Sequence, residues 1–166
     1  MSKENLYDEK AIKKIKEIAT DVDYAMMATL LTKQPLSVIP MSTKKVDDHG
    51  NIWFISGADS EHNANIKADS ATQLFYSSGT DMKFLSIYGQ SEIVTDNEII
   101  KELYGKTDNT WLNGPEDPNT TAIKFTPSEA AYWDSDENAI VVLFKMAEAV
   151  LTGKSQDIGT TGQLSI

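Results

Sequence analysis

The sequence predicts a mainly β fold with flanking helices, arranged as an antiparallel barrel or sandwich. Six short runs rich in apolar or β-branched residues follow Tyr24: AMMATLLT, PLSVIPMSTKKV, IWFISG, ATQLFYSS, MKFLSIYGQSEIV and TAIKFT. Most are separated by Gly, Asp, Asn or Pro, the residues that punctuate strands. Six runs spaced this way favour antiparallel pairing over a parallel sheet with crossover helices. At 166 residues and 40% hydrophobic content, the chain has material for one sizeable core, and residues 1–166 are expected to form a single domain.

An amphipathic helix is expected over residues 1–20. Ile12, Ile15, Ile18 and Ala19 recur at helical spacing, and Asp8 and Glu9 suit its positive N-terminal end. Lys13, Lys14 and Lys16 fill the other face and read as a solvated surface. The barrel is expected over 21–134, with short helices inserted near 60–68 and 97–104. For the second of these, Asp96 is the expected N-cap, Ile99, Ile100 and Leu103 form the apolar face, and Gly105 follows the end. A further helix is expected over 135–153, capped by Ser135 or Asp136, with Ile140, Leu143, Phe144, Ala147 and Val150 on its face and Gly153 as its stop. The remaining residues, 154–166, are small and polar, a tail expected to be loose unless it docks.

Composition excludes several classes of function. Fifteen basic against 25 acidic side chains give a net charge of −10, which opposes non-specific attraction to nucleic acid and anionic lipid. Without cysteine there is no disulfide, thiolate metal site or cysteine nucleophile, and His49 and His62 are too few for a histidine metal cluster. The N-terminus lacks the apolar core of a secretory signal, and the longest apolar run, IVVLF, is far short of the roughly 20 residues of a membrane span. A soluble, cytoplasmic protein with no membrane or nucleic-acid partner is expected.

The stretch KVDDHGNIWFISGADSEHNANI, residues 45–66, carries the chemistry. It reads as a hairpin around DDHGN, a strand, and a small-residue loop opening a helix, whose outward-pointing amides make an anion site available. With that turn, Val46 faces Ile52, Lys44 faces Phe54 and Ser42 faces Ser56, so Ser42, Lys44 and Ser56 share one face beside GADS. On spacing alone, an ordinary hairpin is the simpler reading. One of Trp53 and Phe54 must point outward, beneath a covering helix or a subunit interface. His49 reads as a turn residue, and Tyr132 and Trp133 as a strand end in the core. Asp47-Asp48 and Glu116-Asp117 read as solvated turn acids.

The ordered set of motifs resembles a known family. After the N-terminal helix come P-M-S-T, then D-x-x-G-x-I-W-F-x-S, D-S before a short helix, S-I-Y-G-Q-S-E, WLNGPEDP (111–118), EAAYWDS (129–135) and AVLTGK (149–154). This order is similar to that of the pyridoxamine 5′-phosphate oxidase-like flavin proteins, and most like their general stress protein branch, over about residues 8 to 155. The resemblance implies a six-stranded antiparallel split β-barrel, the FMN-binding split barrel, that forms a homodimer and holds FMN at the subunit interface. Carried onto this chain, it places Pro40, Met41, Ser42 and Thr43 beside the flavin ring and ribityl chain, and Ser56, Ser60, His62 and Asn63 at the phosphate. Lys44 stands at the end of the flavin-contacting strand. Trp111 lies over the flavin by resemblance, or is a hydrophobic plug.

Two departures affect the phosphate. Relatives carry R-P-M where this chain reads Ile39-Pro40-Met41, and a lysine where it has His62. A histidine of ordinary pKa is mostly neutral at cytoplasmic pH, although it still donates one hydrogen bond, and His62 reads equally as a surface residue in a helix's first turn. Loss of two charge-assisted contacts weakens FMN binding by about 2–4 kcal/mol, so micromolar or weaker affinity is expected. The resemblance implies a flavin-dependent oxidoreductase of unknown substrate and names no catalytic acid or base. The alternatives are a flavin-binding or sensing module without turnover, and a dimeric split barrel that has lost its cofactor. Oxidation of pyridoxamine phosphate itself is less expected, because a second phosphorylated ligand needs further cations.

Overall fold

The structure, a computed structural model, describes residues 2–135, 142, 145, 146, 148, 149 and 159–166. In chain order the elements are β1 (Ser2–Lys3), β2 (Leu6–Tyr7), α1 (Asp8–Val22), β3 (Tyr24–Thr29), β4 (Ser37–Ser42), β5 (Lys45–Val46), β6 (Ile52–Gly57), α2 (Glu61–Ala68), β7 (Ala71–Ser78) and β8 (Lys83–Val94). There follow α3 (Asn97–Leu103), a 3-10 turn (Lys106–Thr110), β9 (Thr120–Asp134) and β10 (Thr160–Ser165). All six apolar runs of the sequence contain strands, and the mainly β class with flanking helices holds.

Ten strands stand where six were expected, and they join one sheet with the path β1-β10-β9-β8-β7-β3-β4. The added strands are four short pieces, of which β5 continues the β4 run, β1 and β2 pair in parallel with β10, and β10 itself lies in the expected tail. The sheet is therefore mixed rather than purely antiparallel. β9 pairs with β8 on one edge, while its other edge takes β6 through residues 120–125 and β10 through 129–134. The tail docks because its backbone completes that second edge. An ideal Cβ at Gly162 would lie 1.6 Å from the Glu4 carbonyl, so glycine permits the approach of β10 to the N-terminal segment.

The curled sheet brings β4 against β6, yet β4 pairs only with β3 among the described residues. That gap is the split of the barrel, and Pro40 suits it, since an edge strand can lack a backbone donor. Inside the curl, Met27, Phe54, Leu74, Ile87, Ile123, Phe125 and Tyr132 form the core, closed at one side by Ala11, Ile15, Ile18 and Ala19 of α1. Ile12 is only half-buried, and Ala11 takes the inward position instead. A second cluster lies outside the sheet, where Ile100 and Leu103 of α3 pack with Ile55, Ala122 and Trp53. Phe54 thus points into the barrel and Trp53 outward beneath a covering helix. The Trp53 indole N–H donates to Asp47 at 3.0 Å, and Lys124 Nζ stands 5.9 Å from the ring centroid.

Local capping follows the sequence. Asp96 accepts from the amides of Glu98 and Ile99, and Ser60 accepts from Asn63 N. In the DDHGN turn, Asp47 gathers the His49 and Asn51 amides, the Asn51 side chain and Trp53. Burial pushes the Asp47 carboxyl up, but these hydrogen bonds outweigh it and hold the group below the ordinary range. At the other strand end, Tyr132 is buried as expected, whereas Trp133 faces outward. The helix expected over 135–153 lies mostly outside the described residues, of which 142, 145, 146, 148 and 149 are helical.

Phe125 occupies the middle of β9 and is fully buried. Its replacement by alanine is expected to lower stability by about 3–5 kcal/mol, read from the urea unfolding midpoint, because a rigid strand cannot collapse into the void.

Candidate functional site

The split opens into a cleft of about 500 Å³. Its apolar wall is Ile39, Pro40 and Met41 from the free edge of β4, with Ile55 from β6 and Leu112 from the loop after the 3-10 turn. Its polar end is Ser56, Gly57, Asp59, Ser60 and His62, running from the end of β6 into the first turn of α2. Asp108, Trp111 and Asn119 complete it. Each wall comes from an element whose position is set by packing elsewhere, so the cleft is a preformed gap between fixed edges.

Six of the ten residues expected at a flavin line this cleft: Pro40, Met41, Ser56, Ser60, His62 and Trp111. The other four do not. Ser42 has left the hairpin and stands opposite Tyr24 in the β3–β4 pair. The expected hairpin register is retained at Val46–Ile52 and Lys45–Trp53, and there it stops. Ser42 therefore does not face Ser56, whose partner across the sheet is Thr121. The Thr43 hydroxyl lies 2.8 Å from the Tyr76 hydroxyl, and burial holds the Tyr76 phenol well above its ordinary pKa. Lys44 Nζ is 2.6 Å from Asp108 Oδ1, in a pair whose side chains are only 11% and 12% exposed.

Asn63 is fully buried and completes a ring of hydrogen bonds. Ser56 Oγ donates to Asn63 Oδ1 at 2.9 Å, and Asn63 Nδ2 donates to Thr121 Oγ1 at 2.9 Å. Thr121 Oγ1 in turn donates to the Ser56 carbonyl at 3.1 Å. The ring fixes the start of α2 to β6 and β9, and this is the local reason that the sequence places a polar residue at an inward position of the helix. Nearby, Ser60 Oγ accepts from Asn63 N at 3.3 Å and lies 3.1 Å from His62 Nε2. Burial holds the His62 imidazole below its ordinary pKa, against a smaller upward pull from Glu61.

Trp111 is 86% exposed while it borders the cleft, so it is no plug. Leu112 does that packing, against the α3 cluster. The loop that carries both is held by its own turn chemistry: Asn113 Nδ2 and Asn119 N donate to Asp117, and the Thr120 hydroxyl donates to the Gly114 carbonyl. Asp108 and Asn119 went unnoticed in the sequence. Asn119 anchors the β6–α2 loop, accepting from Asp59 N through Oδ1 and from Ala58 N through its carbonyl. The one local sign of Asp108 is its position three residues after Gly105, whose amide its carboxylate caps at 2.7 Å.

A curled sheet with an open seam and a cleft along that seam defines the chain as a split-barrel protein with a small-molecule-sized site. Residues 10–157 match the family described as "Pyridoxamine 5′-phosphate oxidase like", and the chain belongs to that family. Protein bli-3 of Neurospora crassa is 22% identical over 165 residues, covering 93% of this chain and 79% of its own. Among solved structures, a putative general stress protein 26 from Jannaschia is 24% identical with a TM-score of 0.77, covering 96% of this chain and all of its own. The general stress FMN/FAD binding protein of Xanthomonas citri is 22% identical with a TM-score of 0.65, covering 78% and 92%. At these identities the solved structures establish the split-barrel fold.

Two outcomes follow for the α2 start. Asn63→Ala removes one partner from each of the Ser56 and Thr121 hydroxyls, which keep their 2.9 Å contact with each other, and a loss of about 1–3 kcal/mol in unfolding free energy is expected. Because His62 takes up a proton near its ordinary value of about 6.5 only when unfolded, the unfolded state binds more protons just below that pH. The His62 contribution is therefore complete above that value and is lost as pH falls toward the lower folded pKa. Urea midpoints at pH 7.5 and 5.5 are expected to differ less for His62→Gln than for the parent protein.

Proposed function

We propose that the protein binds FMN in the split-barrel cleft and acts as a homodimeric, flavin-dependent oxidoreductase. The observation that carries this reading is the cleft itself: one wall of Ile39, Pro40, Met41, Ile55 and Leu112, an exposed indole at its border, and a helix start at its polar end. An apolar slot with polar groups at one end suits a flat aromatic ring bearing a polar chain. Family membership and the flavin-binding name of the Xanthomonas relative support the same choice. The residues fit the ring end of a flavin well; the free edge of β4 offers backbone groups to the ring's polar rim. Bound flavin supplies hydride or electron transfer, while the chain's own residues place the ring and exclude water from one face.

Support for a dimer comes from the outer face of the sheet. Tyr24, Met26, Val38 and Phe75 are exposed there, and Met26 stands opposite both Phe75 and Pro40 in the ladder. Such a patch suits an interface between copies, and through Pro40 it adjoins the cleft.

The test is an equilibrium titration of FMN by flavin fluorescence, with sedimentation of the same sample to read its assembly. Binding on the order of micromolar to a dimer is expected, and absence of binding at millimolar FMN would overturn the reading. Photoreduction of the complex followed by reoxidation with candidate acceptors separates an oxidoreductase from a module that only holds the flavin.

A further inference from the structure

The polar end of the cleft disagrees with a phosphate monoester, and the disagreement is built in. Ser56 Oγ donates to Asn63, and Asn63 Nδ2 donates to Thr121. Ser60 Oγ is the helix cap and also contacts His62. The Asp59 amide donates to Asn119, and the Thr43 hydroxyl pairs with Tyr76. Lys44, the cation that follows β4, is held by Asp108 in a mostly buried ion pair. Asp108 and Asp59 are among the residues lining the cleft, whereas Lys44 is not. The chain contains no arginine, the side chain whose planar fork suits phosphate. A dianion entering here would meet the exposed Asp59 carboxylate and the Lys44–Asp108 pair, with hydroxyls already engaged and, among the described residues, only the backbone amides of Glu61 and His62 left as donors at the helix start.

We infer, building on the flavin-binding reading, that the cleft selects its ligand by the ring and ribityl chain and gains no affinity from the 5′-phosphate. Asp108 is the specificity-determining residue, because it takes the lysine that would otherwise answer the phosphate. The ligand class is accordingly flavins irrespective of a terminal phosphate monoester, riboflavin as readily as FMN. Asp59 adds a second negative charge on the same side, in no ion pair among the described residues, at a more exposed and better screened position.

The experiment compares riboflavin and FMN by fluorescence titration against the full-length protein, Asp108→Asn and Asp59→Asn. In the parent protein the two dissociation constants are expected to agree within about threefold, since no charge-assisted contact distinguishes them. Asp108→Asn keeps an oxygen to accept the Gly105 amide and releases Lys44, so FMN is expected to tighten about tenfold with riboflavin unchanged. Asp59→Asn, which breaks no ion pair among the described residues, is expected to favour FMN by about threefold and serves if the first variant folds poorly. Parent protein that binds FMN more than about thirtyfold tighter than riboflavin overturns the inference while leaving the flavin reading intact. An unchanged ratio in folded Asp108→Asn overturns the role of Asp108. Failure to bind either flavin at millimolar concentration overturns both readings.

Discussion

The structure depends on β9. Eleven of its fifteen residues pair along one edge with β8, and the other edge takes first β6 and then β10. The changeover falls at 126–128, and the ladder with β8 slips at the same place, between Tyr88 and Gly89, where Glu129 and Pro127 are the successive partners. Ser128 is the extra residue, a bulge that bends β9 so that one edge can serve two strands. Glycine is required opposite the bulge, because a Cβ at Gly89 would lie 2.2 Å from the Thr126 carbonyl. Pro127, which lacks a donor, costs nothing where the ladder is already interrupted.

The cleft follows from that arrangement. β6 is held against the first half of β9 on one edge, and its other edge takes only β5, at Ile52 and Trp53, so the barrel stays open at the seam with β4. The first half of β9 is covered on both faces: Ile123 and Phe125 point into the main core, and Ala122 lies under α3. A strand buried on both sides has no room for an unpaired polar side chain, and so Thr121 is bound into the ring with Ser56 and Asn63. The same ring fixes the helix start that forms the polar end of the cleft. The fold itself takes most of the hydroxyls there.

What was legible in the sequence is what local chemistry decides. The six β runs, the Asp96 cap, the DDHGN turn and the Val46–Ile52 register all depend on residues within a few positions of one another. What was hidden depends on contacts between distant segments. Residues 160–165 are small and polar and carry no strand signal; they form β10 because β9 and the N-terminal strands, more than 120 positions earlier for the latter, leave edges to pair with. The resemblance identified the cleft and six residues lining it, since strand β4 and the β6–α2 junction are contiguous pieces. It could not foresee that Lys44 would meet Asp108, 64 positions away, because ion-pair choice is made by the folded geometry of two loops.

That choice has a compositional basis. With 25 acids for 15 lysines and no arginine, the chain has carboxylates in excess of the cations that can pair with them. Lys14, Lys16, Lys45, Lys83, Lys101 and Lys124 all stand within ion-pair distance of Asp or Glu, mostly at exposed sites where such pairs contribute little. Lys44 differs by being mostly buried. There a cation and an anion are held together, since separating them would leave Lys44 mostly buried without its counter-ion and Asp108 with only the Gly105 amide, a cost above that of an exposed pair. A ligand phosphate could take the lysine only by leaving Asp108 in the same dry place with its charge intact. Replacement of one anion by another gains little when the displaced one stays mostly buried, and so a mostly buried ion pair at the rim of a cleft disfavours an anionic ligand.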